Sequence, residues 1–532
     1  MTPTPARDAP ADAHLVPVLE TLPEYVDHWA RQTPDAEAYI DQGRATTYRE
    51  LAAQVATFAA ALRERGIGPG HRVAMLTDPR AEYWICLLGT FRAGATWLGL
   101  NPKYQLEELL HVVGDSRPSL LLGIPHSGDR DLTPILDRLA EHAGAAAPVM
   151  LDTDGTNGWD AFLETAPPAS GRPPIEMPEP DTAALIVYTS GSTGKPKGAV
   201  LGHRGLCASF RIQARHNDVT AMRAIVNLPI NHIGGVGDLC CTPLVQGGAL
   251  LFQPRFSPPA ILDAIEQQGA NTLMQIPTML KLLTEHPRWG TADLAGLQFV
   301  AWGGGPLPVD TIEALRATGA RLGTTYGMTE ISGSVSYSRP DATDEELSRT
   351  VGHPIDEIEM RLIAGDDAPV SPGEEGEVAV KHPGLFLGYF GNPEATRAAY
   401  TKDGFFRTGD VAVRRPGGAL RLVGRRKEMY KSGGYNVYPR EIELALESHP
   451  GVSIAAVVPV AHETFGEVGT AFCETAPGHT VTPEELDTWC RQRLANYKVP
   501  KQFRIVDALP LLPVGKVDKM CLRTMATGPA QS

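Results

Sequence analysis

Leu51, Val55, Phe58 and Leu62 recur at i, i+4, i+7 and i+11, one apolar stripe that predicts an amphipathic helix over 47–62 lying on a core. Gly66, Gly68, Pro69 and Gly70 end it, and 71–76 follows as a short apolar strand. A second helical run over 82–92 leads to another strand over 95–100, closed by Asn101-Pro102. Helix and strand alternate with brief Gly/Pro punctuation, which predicts α/β layering around a largely parallel sheet. The Pro-dense stretch 166–180 reads as a linker or surface excursion, and it delivers the chain into 183–188, an apolar run ending in a polar glycine loop. Farther on, 376–380 and 419–423 read as strands of a β-rich lobe. From Gly424 onward the pattern becomes a compact α+β unit of about a hundred residues, an ordinary domain size. The fold class is therefore α/β and multi-lobed: a large N-terminal domain of layered α/β subdomains with a β-rich lobe, then a small α+β C-terminal domain.

A length of 532 residues with 42% hydrophobic and 21% charged positions suits several lobes of an ordinary globular protein. The 48 Lys+Arg against 62 Asp+Glu leave a net charge of -14, so no general basic footprint for nucleic acid exists and any anionic ligand must be gripped locally. Cys86, Cys207, Cys240, Cys241, Cys473, Cys490 and Cys521 are scattered and form no C-x-x-C pair, which argues against a disulfide framework or a structural zinc and for a reducing compartment. Cys240–Cys241 reads as core filling. Residues 1–12, rich in Pro, Ala and Asp, are expected to form a disordered tail, with no apolar centre for a signal peptide. No run of about 18 apolar residues predicts a membrane span. The last five residues, Gly-Pro-Ala-Gln-Ser, form neither a lipidation box nor a peroxisomal address. The expected location is the cytoplasm.

The sharpest chemical signal is Tyr188-Thr-Ser-Gly-Ser-Thr-Gly-Lys-Pro-Lys-Gly198. Small residues at Gly191, Gly194 and Gly198 let backbone N–H groups turn toward one point, while Thr189, Ser190, Ser192 and Thr193 add hydroxyls and Lys195 and Lys197 add charge. Such a loop suits a polyphosphate. It is not a Walker A loop, because Pro196 stands five residues after Gly191, where that pattern needs glycine.

This run resembles the phosphate-binding signature of the adenylate-forming (AMP-binding) superfamily, and five further motifs of that family follow in order. Gly303-Gly-Gly-Pro-Leu307 resembles the adenine-side glycine loop, Tyr326-Gly-Met-Thr-Glu330 the YGxTE box and Thr408-Gly-Asp410 the TGD box. The stretch from Gly424 to Glu443 resembles the crossover motif, and Pro513-Val-Gly-Lys516 the terminal lysine box. The likeness is to the acyl-CoA synthetase branch, and it implies an enzyme using ATP, Mg²⁺ and coenzyme A. On that resemblance Thr189, Ser190, Gly191, Ser192, Thr193, Gly194 and Lys197 hold the phosphates. Gly303, Gly304, Gly305, Pro306, Thr325, Tyr326, Gly327 and Met328 form the adenine side, with the Tyr326 ring stacked on the base. Thr329 touches the α-phosphate and Glu330 holds Mg²⁺, a hard cation suited to carboxylate and phosphate oxygens. Asp410 accepts from the ribose hydroxyls, with Arg425 assisting. Lys516 is the principal catalytic residue, its ammonium offsetting charge that accumulates as carboxylate meets α-phosphate. Two departures are visible: Thr324 stands where the family often has Asn or Gln, and Pro416-Gly417-Gly418 replaces an acidic-glycine turn.

The resemblance further implies two steps, acyl-AMP with release of pyrophosphate, then thioester with release of AMP. Between them a C-terminal domain over 426–532 swings against the body over 13–425, with Lys427 as the hinge. Lys431, Ser432, Gly433 and Gly434 would line the tunnel for the thiol arm. Coenzyme A is the expected thiol, since the Ser432–Pro439 sequence is of the CoA-ligase type and only 16 residues follow Lys516. A separate carrier protein is the alternative, and a non-catalytic nucleotide-binding homologue a remoter one. Asn227-Leu-Pro-Ile-Asn-His-Ile-Gly-Gly-Val-Gly237 resembles the acyl-pocket segment, placing His232 beside the reacting carboxylate, with Ile233, Gly234, Gly235 and Trp302 around the acyl group. No charged residue occurs from Leu228 to Val236, which disfavours an amino-acid substrate, and the glycines remove volume from the walls. The expected substrate is a sizeable apolar carboxylic acid: fatty, aryl or polycyclic. Both monomer and homodimer remain open.

Overall fold

The computed structural model describes residues 16–153, 156–172, 174–189, 196–511 and 517–527. The chain divides into two compact units, Met1–Glu359 with Lys381–Ala399, and Met360–Val380 with Tyr400–Ser532.

Helix Tyr48–Glu64 begins where a capping box dictates: Thr47 Oγ1 accepts from the Glu50 N–H at 3.3 Å, and Glu50 Oε2 accepts from the Thr47 N–H at 2.8 Å. Its apolar stripe of Leu51, Val55, Phe58 and Leu62 is fully enclosed. Strand Arg72–Leu76, helix Ala81–Arg92 and strand Thr96–Leu100 follow, and the two strands pair in parallel. Among the described residues the first unit carries two large sheets. In one, the central strands Arg72–Leu76, Thr96–Leu100, Leu120–Gly123 and Ala183–Thr189 are parallel. In the other, parallel strands run from Glu37–Asp41 through Ala249–Phe252, Arg223–Val226, Thr272–Gln275 and Phe299–Gly303 to Arg321–Met328, with antiparallel pairs at both edges. Near-continuous burial along these strands is what a sheet covered on both faces requires.

The second unit holds the β-rich strands Gly376–Lys381, Phe406–Arg414 and Leu420–Arg425, joined in antiparallel fashion. It also holds an α+β part in which the long strands Val452–His462 and Gly466–Thr475 pair, with helix Pro439–Glu447 against them. Segment 166–180 is irregular apart from a short turn of helix, Ala169–Gly171. Cys240 and Cys241 are wholly buried, as core filling requires, and Cys521 is exposed. Among the described residues no helix is long and apolar enough to cross a membrane.

Candidate active site

Strand Ala183–Thr189 returns antiparallel as strand Lys197–Gly202, with Thr189 opposite Lys197. The glycine-rich sequence therefore bridges a hairpin, whereas a Walker A loop leads from strand into helix. Ser190, Gly191, Ser192, Thr193, Gly194 and Lys195 lie outside the described residues. The hairpin's foot is pinned: the Tyr188 hydroxyl donates to Asp115 Oδ2 at 2.5 Å, and the Pro196 carbonyl lies 3.1 Å from His111 Nε2.

The second motif cluster sits at the ends of two neighbouring parallel strands, where Gly303 of Phe299–Gly303 faces Thr325 of Arg321–Met328. Open α/β sheets bind ligands at such strand ends. Gly304 takes φ +81°, a left-handed conformation that glycine alone adopts without strain, and leads the chain through Gly305 and Pro306. Tyr326 is buried. Gly327 is obligatory for packing, since a Cβ there would stand 1.9 Å from the Gly333 carbonyl oxygen. Met328 is half-buried and Thr329 buried in the turn Thr329–Ile331.

Glu330 Oε1 accepts from the Tyr389 hydroxyl at 2.9 Å, and its carbonyl accepts from the Phe386 N–H at 2.8 Å. Lys197 Nζ lies 5.4 Å from the centroid of the same Tyr389 ring. Tyr389 is held by strand pairing with Ala199. Lys197 and Glu330, 133 positions apart, thus meet on one tyrosine. Tyr389 was not read from the sequence; a tyrosine after glycine carries no chemical signature, and only the strand pairing singles it out. Glu330 belongs to no cluster of three His, Cys, Asp or Glu side chains among the described residues. A lone, oriented carboxylate fits Mg²⁺ held chiefly by nucleotide phosphates and water.

On the acyl side, His232 is exposed and its Nδ1 accepts from the Gly234 N–H at 3.0 Å, so the neutral ring carries its proton on Nε2. Ile233 is buried, and Gly234 opens a wide-turned π-helix, Gly234–Cys241. Two of the glycines serve packing. A Cβ on Gly235 would stand 2.3 Å from the Pro229 carbonyl oxygen, and one on Gly237 would stand 2.2 Å from Phe210 Cζ. They let the π-helix press onto its neighbours and do not open a wall. Trp302 packs in the core with Ile225, Leu251 and Val300, its indole N–H without a partner among the described residues. Asp238 stands just past the charge-free window, and burial pushes its carboxyl up to about 6, with a hydrogen bond from Gln213 lowering it in part.

In the second unit, Asp410 and Arg425 stand opposite each other on paired strands, and Arg425 Nε donates to the buried Asp410 Oδ1 at 3.0 Å. Lys427 is exposed in the turn after Arg425, where the Glu428 and Met429 N–H groups donate to the Arg425 carbonyl at 3.0 and 3.1 Å. Lys431 is exposed and Ser432 buried. Gly433 and Gly434 take φ +57° and +87°, the two left-handed residues of a tight hairpin between Tyr430–Ser432 and Tyr435–Val437. Lys516 lies outside the described residues. Just beyond it, Lys519 Nζ donates to Glu428 Oε2 at 2.6 Å and bridges to Glu443 Oε1 at 2.9 Å.

Residues 26–390 match the family model described as AMP-binding enzyme, and residues 441–516 the model for the AMP-binding enzyme C-terminal domain. The chain belongs to the AMP-binding enzyme family. It is 36% identical to a feruloyl-CoA synthase of an Amycolatopsis species over 493 residues, spanning 92% of this chain and 96% of that one. It is 31% identical to the fatty acid–[acyl-carrier-protein] ligase ScoC of Streptomyces coeruleorubidus, spanning 95% and 96%. Among solved structures it resembles ATP-bound MatB from Rhodopseudomonas palustris, with a TM-score of 0.83, 30% identity and coverage of 94% and 98%. The family, fold class and enzyme class expected from the ordered motifs are borne out.

Proposed function

We propose that this AMP-binding enzyme activates a sizeable, mostly apolar carboxylic acid to its acyl-adenylate and passes the acyl group to coenzyme A. The observation that supports the reading is the meeting of Lys197 and Glu330 on Tyr389, from which an ammonium and a carboxylate of two motifs would face one nucleotide. Glu330, steadied by the Tyr389 hydroxyl, would hold Mg²⁺, which when bound neutralises phosphate charge. Thr329 would donate to the α-phosphate, Tyr326 would stack on adenine and Asp410 would take the ribose hydroxyls. His232, its Nδ1 accepting from the Gly234 N–H, would stand beside the acid's carboxylate. Lys516 would bridge carboxylate and α-phosphate as they join, where its charge is worth most in the transition state. Lys427 would serve as the hinge of domain alternation and Lys431–Gly434 as the thiol tunnel.

The ScoC likeness favours a second reading, an acyl carrier protein as thiol donor. Carboxylate-dependent ATP–pyrophosphate exchange over a panel of fatty, aryl and polycyclic acids tests adenylation, and repetition with coenzyme A and AMP release tests thioester formation. Exchange without CoA-dependent thioester would favour the carrier reading. Absence of exchange with every acid would refute the proposal.

A further inference from the structure

In the second unit, helices Pro439–Glu447 and Lys519–Thr527 both pack on strand Val452–His462, and charged side chains of alternating sign link them. Lys519 Nζ donates to Glu428 Oε2 at 2.6 Å and stands 2.9 Å from Glu443 Oε1. Arg440 continues the row, 3.3 Å from Glu443 Oε2 and 2.9 Å from Glu447 Oε2. Backbone donors complete it: the Val457 N–H donates to Glu443 Oε1 at 3.0 Å, and the Ala455 N–H to Glu447 Oε1 at 3.3 Å. Burial acts to lower the Lys519 pKa, yet the Glu443 and Glu428 carboxylates outweigh it and hold the ammonium above its ordinary value.

Such a network is a weak device for stability alone, because taking the charges out of water offsets most of what their attraction returns. Its ends are more telling. Glu428 directly follows Lys427, in the turn where the Glu428 and Met429 N–H groups donate to the Arg425 carbonyl. Lys519 opens helix Lys519–Thr527 three positions after Lys516. The residues on either side of 512–516 are tied to each other: Leu511 and Val517 form an antiparallel bridge, and the Asp518 N–H donates to the Pro510 carbonyl at 2.8 Å. Asp518 Oδ1 then accepts from the Met520 and Cys521 N–H groups, both at 3.0 Å, and so caps the helix. Leu509, Val517 and Leu522 pack this stretch against Ala456 and Val458. Lys519 joins the same stretch to the turn after Lys427.

We infer that Lys519 is a positioning residue for adenylation: by joining Glu428 and Glu443 to the stretch that follows Lys516, it makes the terminal lysine and the residue after the hinge turn as one body. The inference rests on the roles proposed for Lys427 and Lys516 and goes beyond them, naming the side chain that links the two. Lys519 acts through Lys516, not on the reacting atoms. An ammonium that offsets charge chiefly in the transition state loses its effect steeply when displaced, by about a hundredfold for a shift near 1 Å. Thioester formation from acyl-AMP has no assigned use for Lys516, so the loss should fall on the first step alone.

The test pairs two measurements on the whole chain: ATP–pyrophosphate exchange with the acid that wild type exchanges best, and thioester formation from supplied acyl-AMP and coenzyme A. Lys519→Met keeps the apolar stem and removes the charge. It is expected to lower kcat of exchange about tenfold, with KM for ATP and acid and the thioester rate all within about threefold of wild type. Lys519→Arg, which returns a cation to the node, is expected to recover most of the loss. Glu428→Gln, at the more exposed end of the network, is expected to lower exchange about threefold in the same one-sided way, and it decides the matter where Lys519→Met does not fold. Equal losses in both steps, a loss expressed chiefly in KM, or unchanged exchange in the Lys519→Met and Glu428→Gln variants would each overturn the inference while leaving adenylation standing. Undiminished exchange in Lys516→Ala would instead overturn the role proposed for Lys516, and this inference with it.

Discussion

Asp238 is expected to cost the free protein stability, and Asp238→Asn should recover it in a pH-dependent way. Burial raises the carboxyl from its ordinary 3.8 to about 6. At about 1.4 kcal/mol for each pH unit between the two values, the ionised group costs at most about 3 kcal/mol. Below pH 4 both native and unfolded chains hold the proton and the residue contributes nothing. Between pH 4 and 6 the unfolded chain releases a proton that the native chain keeps, so native stability falls as pH rises. Above pH 6 both are ionised and the cost is complete. Asparagine has the same shape and no charge, so the variant's advantage should be about 1 kcal/mol near pH 4.5 and grow to about 3 kcal/mol at pH 7.5. In a unit of this size that gain corresponds to a few degrees in melting temperature. Thermal unfolding followed by circular dichroism across pH 4.5–8 reads the difference directly. A variant whose advantage does not grow between pH 4.5 and 7.5, or which is less stable at pH 7.5, would refute the reasoning.

Tyr389→Phe removes the 2.9 Å hydrogen bond to Glu330 while leaving the ring under Lys197. Loss of a bond to a charged group, about 1.5 kcal/mol, should lower kcat/KM about tenfold and raise the magnesium requirement, seen by titrating exchange with Mg²⁺. An unchanged magnesium dependence would count against a positioning role. Lys516→Ala should nearly abolish adenylation yet spare thioester formation from supplied acyl-AMP; equal loss of both steps in single-turnover assays would contradict its assigned role. Gly237→Ala drives a methyl toward Phe210 Cζ, which would lie 2.2 Å away, and should cost about 1–3 kcal/mol in denaturant titration. Phe210→Leu in the same chain should recover part of that loss, because it vacates the contact.

Local structure was legible wherever burial periodicity and capping agreed. The helix at Tyr48–Glu64 starts on its capping box, and the strands at Arg72–Leu76 and Thr96–Leu100 begin one residue from where the apolar runs begin. The site was legible as motifs but not as contacts. Nothing in the letters Tyr326–Glu330 says that Glu330 leans on Tyr389, because the link runs through pairing of Lys197–Gly202 with Gly388–Tyr389. The hairpin at Gly433–Gly434 shows the converse. Glycines expected to serve close approach of a thiol arm already have a backbone reason to be glycine, since both take positive φ in a two-residue turn.

Asp238 shows why the acyl site read as uncharged. The charge-free window ended at Val236, a natural stop if the segment continued as an ordinary loop. The chain instead winds into a π-helix, whose wider turn brings the residue four positions after Gly234 back beside it. Three glycines make that winding possible, and two are consumed by contacts with Pro229 and Phe210. A Cβ on Gly234 would instead meet His232 Nδ1 at 3.1 Å and Asp238 Oδ2 at 3.7 Å. Exclusion of an amino substrate therefore cannot rest on an absence of carboxylates. A carboxyl pushed up to about 6 by burial lowers native stability at neutral pH.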